Sequence, residues 1–245
     1  MKLKAQIPNI ITLGNLVCGV LAIAAVTSGQ VAIGAWLILG GAFFDFFDGL
    51  AARSLGVSGE LGKQLDSLAD LVTFGVAPTF IVLHLAGSLS DVPEDFPGSV
   101  WAFSPVLMAA FAAYRLAKFN IDTRQSDRFI GMPTPAVALF WLSLALISVS
   151  PPAGDDALSS LYSAFIDTPD ALILASFVFS LLMVAPFPLI ALKFKSYALA
   201  KNLYRYALLL FALVLLAFFA VRAVPIILLL YLILSFTENL RSPKQ

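Results

Sequence analysis

Apolar segments recur along the whole chain, at about residues 9–28, 31–53, 66–87, 101–118, 132–150, 170–190, 204–221 and 224–237. Most of them reach about 18 residues or more, the length a helix needs to cross a hydrocarbon layer. Membrane β-strands are about half as long and alternate in period two, which these segments do not. A backbone inside lipid must satisfy its own polar groups, so helices are what such segments form. Composition agrees: 60% of residues are hydrophobic and 12% charged, with mean hydropathy +0.93. A soluble domain carries roughly twice that charge fraction. The expectation is an all-α, polytopic membrane protein with about eight transmembrane helices, residues 1–245 forming a single membrane-embedded domain. Only Arg222, Ala223 and Val224 separate the last two segments, where Pro225 either starts a new helix or kinks one long one. The basic start Lys2, Lys4 loosely resembles a signal peptide, but the apolar stretch behind it lacks a clear cleavage site and reads as the first span.

Charge then predicts sidedness. With eight spans, alternate loops collect Lys2, Lys4, Arg53, Lys63, Arg115, Lys118, Arg124, Arg128, Lys193, Lys195, Lys201, Arg205, Arg241 and Lys244, all but Arg222 of the 15 basic residues. The opposite side gathers Asp91, Glu94, Asp95, Asp155, Asp156, Asp167 and Asp170. By the positive-inside rule both termini face the cytoplasm, in the cell (inner) membrane. The zero net charge carries no information about partners, because the charges are segregated by side, and no nucleic-acid partner is expected. The single cysteine, Cys18, reads as a small buried hydrophobe.

Four carboxylates break the apolar pattern: Asp45, Asp48, Asp66 and Asp70. Near the bilayer centre each costs about 2.5–3.5 kcal/mol or more, and somewhat less toward the interface. Spacings of three and four residues place each pair on one helix face. Two antiparallel helices joined by the 54–65 loop can turn both faces into one cavity. No lysine, arginine or histidine is spaced to neutralise all four, and hard divalent cations such as Mg2+ or Mn2+ prefer carboxylate oxygen. Four aspartates can share two such ions, an arrangement suited to phosphoryl displacement. Gly49, Ala51, Ala52 and Gly62 remove bulk beside the acids, and Arg53 lies one turn beyond Gly49, placed for a phosphate or an acidic partner. An ion-pair network tying two helices, or a proton or cation pathway, are the other physical readings.

The residues Asp45, Asp48, Gly49, Ala52, Arg53, Gly62, Asp66 and Asp70 stand at the spacing D-x2-D-G-x2-A-R-x8-G-x3-D-x3-D. This matches the CDP-alcohol phosphotransferase signature at every fixed position. Pro8-Asn9, Thr12, Asn15 and Gly19 resemble the first helix of the bacterial, membrane-embedded phosphatidylserine synthases, as does the run Asp70–Pro78. Tyr114–Asn120 and Gly131–Pro135 resemble that group's R-L-A-R-F-N and G-L-P-T-P blocks, with Lys118 and Met132 as departures. The basic loop from Lys193 to Lys201 is of the kind seen in the group. The resemblance implies that Asp45, Asp48, Asp66 and Asp70 bind two metal ions, with Asp70 doubling as general base. It further implies that Asn9, Thr12, Gly49, Ala52, Arg53 and Gly62 hold the CDP-lipid. The implied substrates are CDP-diacylglycerol and L-serine, met at the membrane lipid, with the active site on the cytoplasmic side and a homodimer as the common assembly. A phospholipase-D-like mechanism needs histidine pairs, and His84 is the one histidine.

Arg115, Lys118 and Asn120 either anchor a helix end at lipid headgroups or grip the lipid phosphate or the acceptor's carboxylate. Thr134 either belongs only to a proline-rich helix start or lines the alcohol pocket. The alternative acceptors are glycerol 3-phosphate, inositol phosphate and choline, and Arg115, Arg124 and Arg128 leave phosphorylated ones open. An ion or proton transporter would place polar groups through both leaflets, whereas these cluster toward one side.

Overall fold

The structure, a computed structural model, describes residues 4, 6–57, 59–87, 100–121, 129–150, 156–190 and 202–241. Arg124, Arg128, the Lys193–Lys201 loop, Lys2, Lys244 and the acidic residues from Asp91 to Asp95 and Asp155 lie outside the described residues.

Helix α1 (Gln6–Thr27) buries Pro8, Thr12, Asn15, Gly19, Ala22 and Val26, one stripe at alternating spacings of four and three. It turns back into α2 (Val31–Ser54) through Gly29, whose φ of 77° lets its amide bond Val26 O while Gln30 bonds Ala25 O. The buried stripe of α2 runs Val31, Gly34, Ile38, Gly41 and then Asp48. The aspartates therefore occupy the continuation of a packing face. Lipid removes most of the hydrophobic drive between helices, so close backbone approach matters more. A Cβ on Gly34 would stand 3.1 Å from Ala22 O, and one on Gly19 would stand 2.9 Å from Thr73 Cα.

A second reversal at Gly56 (φ 61°) closes α2 with the same bonding pattern and leads to α3 (Glu60–Leu85). The expected span began at Asp66, because hydropathy does not register the polar turns Glu60–Leu65; these are helical and shorten the loop to 55–59. Within α3 the stretch Leu71–Val76 widens into a π-helix. Pro78 lacks the amide that would bond Phe74, and its ring pushes against that carbonyl, which the wider turn relieves.

A short turn (Val100–Phe103) precedes α4 (Val106–Ile121). The antiparallel ladder β1 (Phe129–Ile130) with β2 (Pro188–Leu189) is the one exception to an all-helical fold among the described residues. Helix α5 (Thr134–Val149) starts at Pro133 with Pro135 in its first turn, and it is apolar on every side. It is the central helix: Trp141 is fully buried, the Phe140 ring meets that of Phe179 at a tilt of 48° with centroids 4.6 Å apart, and α5 packs against α2, α3 and the last helix. Helices α6 (Ala157–Ile166) and α7 (Pro169–Val184) meet at 87°. The chain ends in α8 (Leu203–Phe219), a 3-10 turn (Ala220–Arg222) and α9 (Ala223–Arg241).

Among the described residues five helices are long and apolar enough to cross a membrane, or six with the bent pair, so the expected count of eight is not reached on length and composition. Two features account for the difference. Helix α5 has 16 residues, about 24 Å of rise, which is short of a bilayer core. The run Leu203–Leu240 is helical except for the 3-10 turn Ala220–Arg222, but Ala220 has φ 47° and α8 packs along α9, so the run folds back on itself. The chain is a multi-pass membrane protein.

The two ends of the bundle differ. At one end Asp156 caps α6, accepting 2.7 Å bonds from the Ser159 amide and hydroxyl and one of 2.9 Å from Arg222. Tyr162 closes the clamp by donating to Arg222 O at 2.6 Å, and Trp101 donates to Asp170 at 2.9 Å nearby in the chain's alternation. The Ser159 donors, then Arg222, hold the Asp156 carboxyl down at about 2. The other end carries the site.

Candidate active site

Helix α2 carries Asp45 and Asp48, and the first turns of α3 carry Asp66 and Asp70. Carboxylate oxygens of Asp45, Asp48 and Asp66 lie within 4.8 Å of one another. Asp70 stands outside that triad but within hydrogen-bonding reach of Asp45. Helix α1 supplies neutral donors: Thr12 Oγ1 to Asp48 at 2.6 Å and Asn15 Nδ2 to Asp70 at 3.1 Å. Among the described residues no lysine or arginine forms an ion pair with any of the four. Converging carboxylates with hydrogen-bonded outer partners and no protein cation fit a hard divalent ion.

Above the acids opens a cavity of about 520 Å³ between the starts of α1 and α3 and the end of α2. Asn9, Thr12, Asp48, Gly49, Ala52, Gly62 and Asp66 line it, so five of the six expected CDP-lipid residues meet at one place. Arg53 does not line it; the guanidinium folds back over Gly49, 3.6 Å from where a Cβ would be, and is exposed. Gly62 matters for space, since a Cβ there would stand 3.3 Å from Asn9 Oδ1. Glu60 and Lys63 also line the cavity, from the polar turns read as loop in the sequence.

The expected acceptor residues fall elsewhere. Arg115 is buried, in the electrostatic field of Asp70 and Tyr231, with its Nε unpartnered. With Lys118 it lines a small recess beside Ile130, Met183 and Val184. Asn120 lines neither space: its side-chain amide donates to Ser67 Oγ at 2.8 Å while its backbone carbonyl accepts from Lys63 Nζ at 2.6 Å, tying α4 to α3. Thr134 is fully buried with its hydroxyl unpartnered, and it lines neither space. Sequence reasoning gave Asn15 and Tyr231 no role. For Asn15 the signal was present, one turn after Thr12 on the same stripe; for Tyr231, in a featureless apolar helix, none was.

Geometry of this kind defines a membrane-embedded cavity with an aspartate cluster that could hold a metal ion. Residues 5–181 match the CDP-alcohol phosphatidyltransferase family, and the chain belongs to that family, a family of transferases. A CDP-diacylglycerol–serine O-phosphatidyltransferase of Bacillus subtilis is 43% identical over 129 residues, 53% of this chain and 69% of that protein. The Helicobacter pylori (strain J99) protein of the same name is 35% identical over 142 residues, 57% of each chain. That of Methanocaldococcus jannaschii is 32% identical over 133 residues, 54% of this chain and 57% of its own length. The family is divalent-metal dependent in general, in keeping with the aspartate triad.

Proposed function

We propose that the chain transfers the phosphatidyl group of CDP-diacylglycerol to the hydroxyl of L-serine, giving phosphatidylserine and CMP. The observation that carries this reading is the aspartate cluster at the floor of a cavity lined by Asn9, Thr12, Gly49, Ala52 and Gly62. The names of the relatives favour serine among the acceptors. Asp45, Asp48, Asp66 and Asp70 would hold two divalent cations, Mg2+ or Mn2+. Bound there, the ions would offset the charge of the pyrophosphate and of departing CMP. Gly49, Ala52 and Gly62 let the nucleotide approach the backbone, and Asn9 and Thr12 face the same space. Asp70 takes the proton of the serine hydroxyl as its oxygen bonds to phosphorus, and the bond from phosphorus to the CMP oxygen breaks. Arg115, buried beside Asp70, suits the acceptor's carboxylate. The whole chain acts as one domain with both termini and the cavity on the cytoplasmic side of the cell membrane, the side that gathers all basic residues but Arg222.

Purified protein with Mn2+ or Mg2+ is expected to convert labelled serine and CDP-diacylglycerol to phosphatidylserine with equal release of CMP, and to stop when the metal is chelated. Parallel assays carry glycerol 3-phosphate, inositol phosphate and choline. Turnover with one of these and none with serine overturns the acceptor assignment.

A further inference from the structure

Asn15 sits at the crossing of α1, α2 and α3, fully buried in a stripe of small residues. Its Nδ2 donates to Asp70 Oδ1 at 3.1 Å, its backbone carbonyl accepts from Thr73 Oγ1 at 2.9 Å, and its Oδ1 has no partner. The amide orientation follows from charge: turned over, its carbonyl would face a carboxylate. The unpaired Oδ1 is then left against α2, where a Cβ on Gly41 would come within 2.9 Å of it. A buried carbonyl without a donor is unfavourable, and an asparagine serving only packing would have both ends satisfied. The arrangement satisfies the carboxylate at the expense of the amide.

Thr73 anchors the other side of the same contact. It lies in the π-helical stretch of α3, one turn beyond Asp70, and its bond to the Asn15 backbone pins that turn to α1. Asp70 is thus fixed from α1 both through its own carboxyl and through the helix that carries it. The donor is also neutral. A lysine or arginine at this place would pair with Asp70 and cancel charge that the site needs.

We infer that Asn15 is a positioning residue: its amide orients the Asp70 carboxyl toward the acceptor hydroxyl, outside the Asp45, Asp48, Asp66 triad. The inference rests on the proposed function for Asp70's role as base and adds the group that aims it.

The test compares wild type, Asn15→Ala and Asn15→Leu as full-length purified proteins, the leucine keeping the branching and heavy-atom count where the alanine leaves a gap. Turnover and Mn2+ binding followed by electron paramagnetic resonance are both read. The expected result in both variants is a fall in kcat of about 10–100-fold, the scale of a misplaced reacting group. KM for CDP-diacylglycerol stays within about threefold; one Mn2+ stays tightly bound by Asp45, Asp48 and Asp66, while a second ion shared with Asp70 weakens by about 10–100-fold. Turnover within twofold of wild type in either folded variant overturns the inference. So does loss of triad Mn2+ binding together with activity, which would make Asn15 a support of the whole site rather than of Asp70. If wild type uses an acceptor other than serine, the same comparison is read with that acceptor, which separates failure of the serine assignment from failure of this one.

Discussion

Thr12 and Asn15 stand one turn apart on α1, yet each serves a carboxylate on a different helix: Asp48 of α2 and Asp70 of α3. One helix face thereby fixes the relative placement of two others. The Thr12 bond is short, at 2.6 Å, and reaches a carboxylate only 5% exposed. A hydrogen bond to a charged group is worth about 1.5–3 kcal/mol, and one that orients a metal ligand is worth about 10–100-fold in metal affinity. Thr12→Val keeps the shape and removes the donor. Its Mn2+ affinity is expected to weaken by about that factor in a binding titration of the purified protein, with the fold unchanged by circular dichroism. Unaltered affinity would show that Asp48 is held by its helix alone. The clustering of the acids was legible because aspartates in an apolar helix have few explanations. The partners were not, since a threonine or asparagine in a membrane helix looks the same whether it bonds its own backbone or an aspartate of the cluster.

Among the elements, the clamp on the far side from the cavity joins the start of α6 to the α8–α9 turn through Asp156, Ser159, Tyr162 and Arg222. Its charge state sets its pH range. Asp156 titrates at about 2 in the folded chain, below the 3.8 of a free side chain, because Ser159 and Arg222 favour the ionised form. A depressed carboxyl stabilises the fold above its unfolded value, and that contribution fades as pH falls from about 4 toward 2. Asp156→Asn should therefore melt below wild type at pH 7 in detergent, and the two should converge near pH 2. A gap that persists at pH 2 would mean the cap works by shape and not by charge. Element boundaries show the same limits of sequence. Hydropathy located the helices because lipid contact selects apolar residues, but it missed Glu60–Leu65, where polar turns stand at the mouth of the site. It also missed the π-helical turn after Asp70 and the β1–β2 ladder, both set by local backbone geometry and packing that apolar content does not encode.

At the scale of the whole molecule, α1 and α3 start at the cavity and α2 and α4 end there, while the Asp156–Arg222 clamp joins loops of the opposite end. Sorting the charges by alternate loops anticipated this division, since it set Arg222 with Asp156 and apart from the other basic residues. The proposed function requires the cavity end to face the compartment that holds free serine and receives CMP, because neither crosses lipid unaided. The proposed topology thus predicts opposite accessibility for two positions. Gly59 is an exposed cap in extended backbone (φ −159°), which any residue adopts, and Ser160 is exposed beside Asp156. In a Cys18→Ser background, intact right-side-out vesicles are treated with a membrane-impermeant maleimide. Ser160→Cys should react at once, and Gly59→Cys only after the vesicles are opened. The reverse order would turn the cavity outward and remove cytoplasmic serine as the acceptor, whatever the relatives use. Equal labelling from outside would place both positions on one face and would mean that α5, the helix between the cavity end of α4 and Ser160, does not carry the chain across.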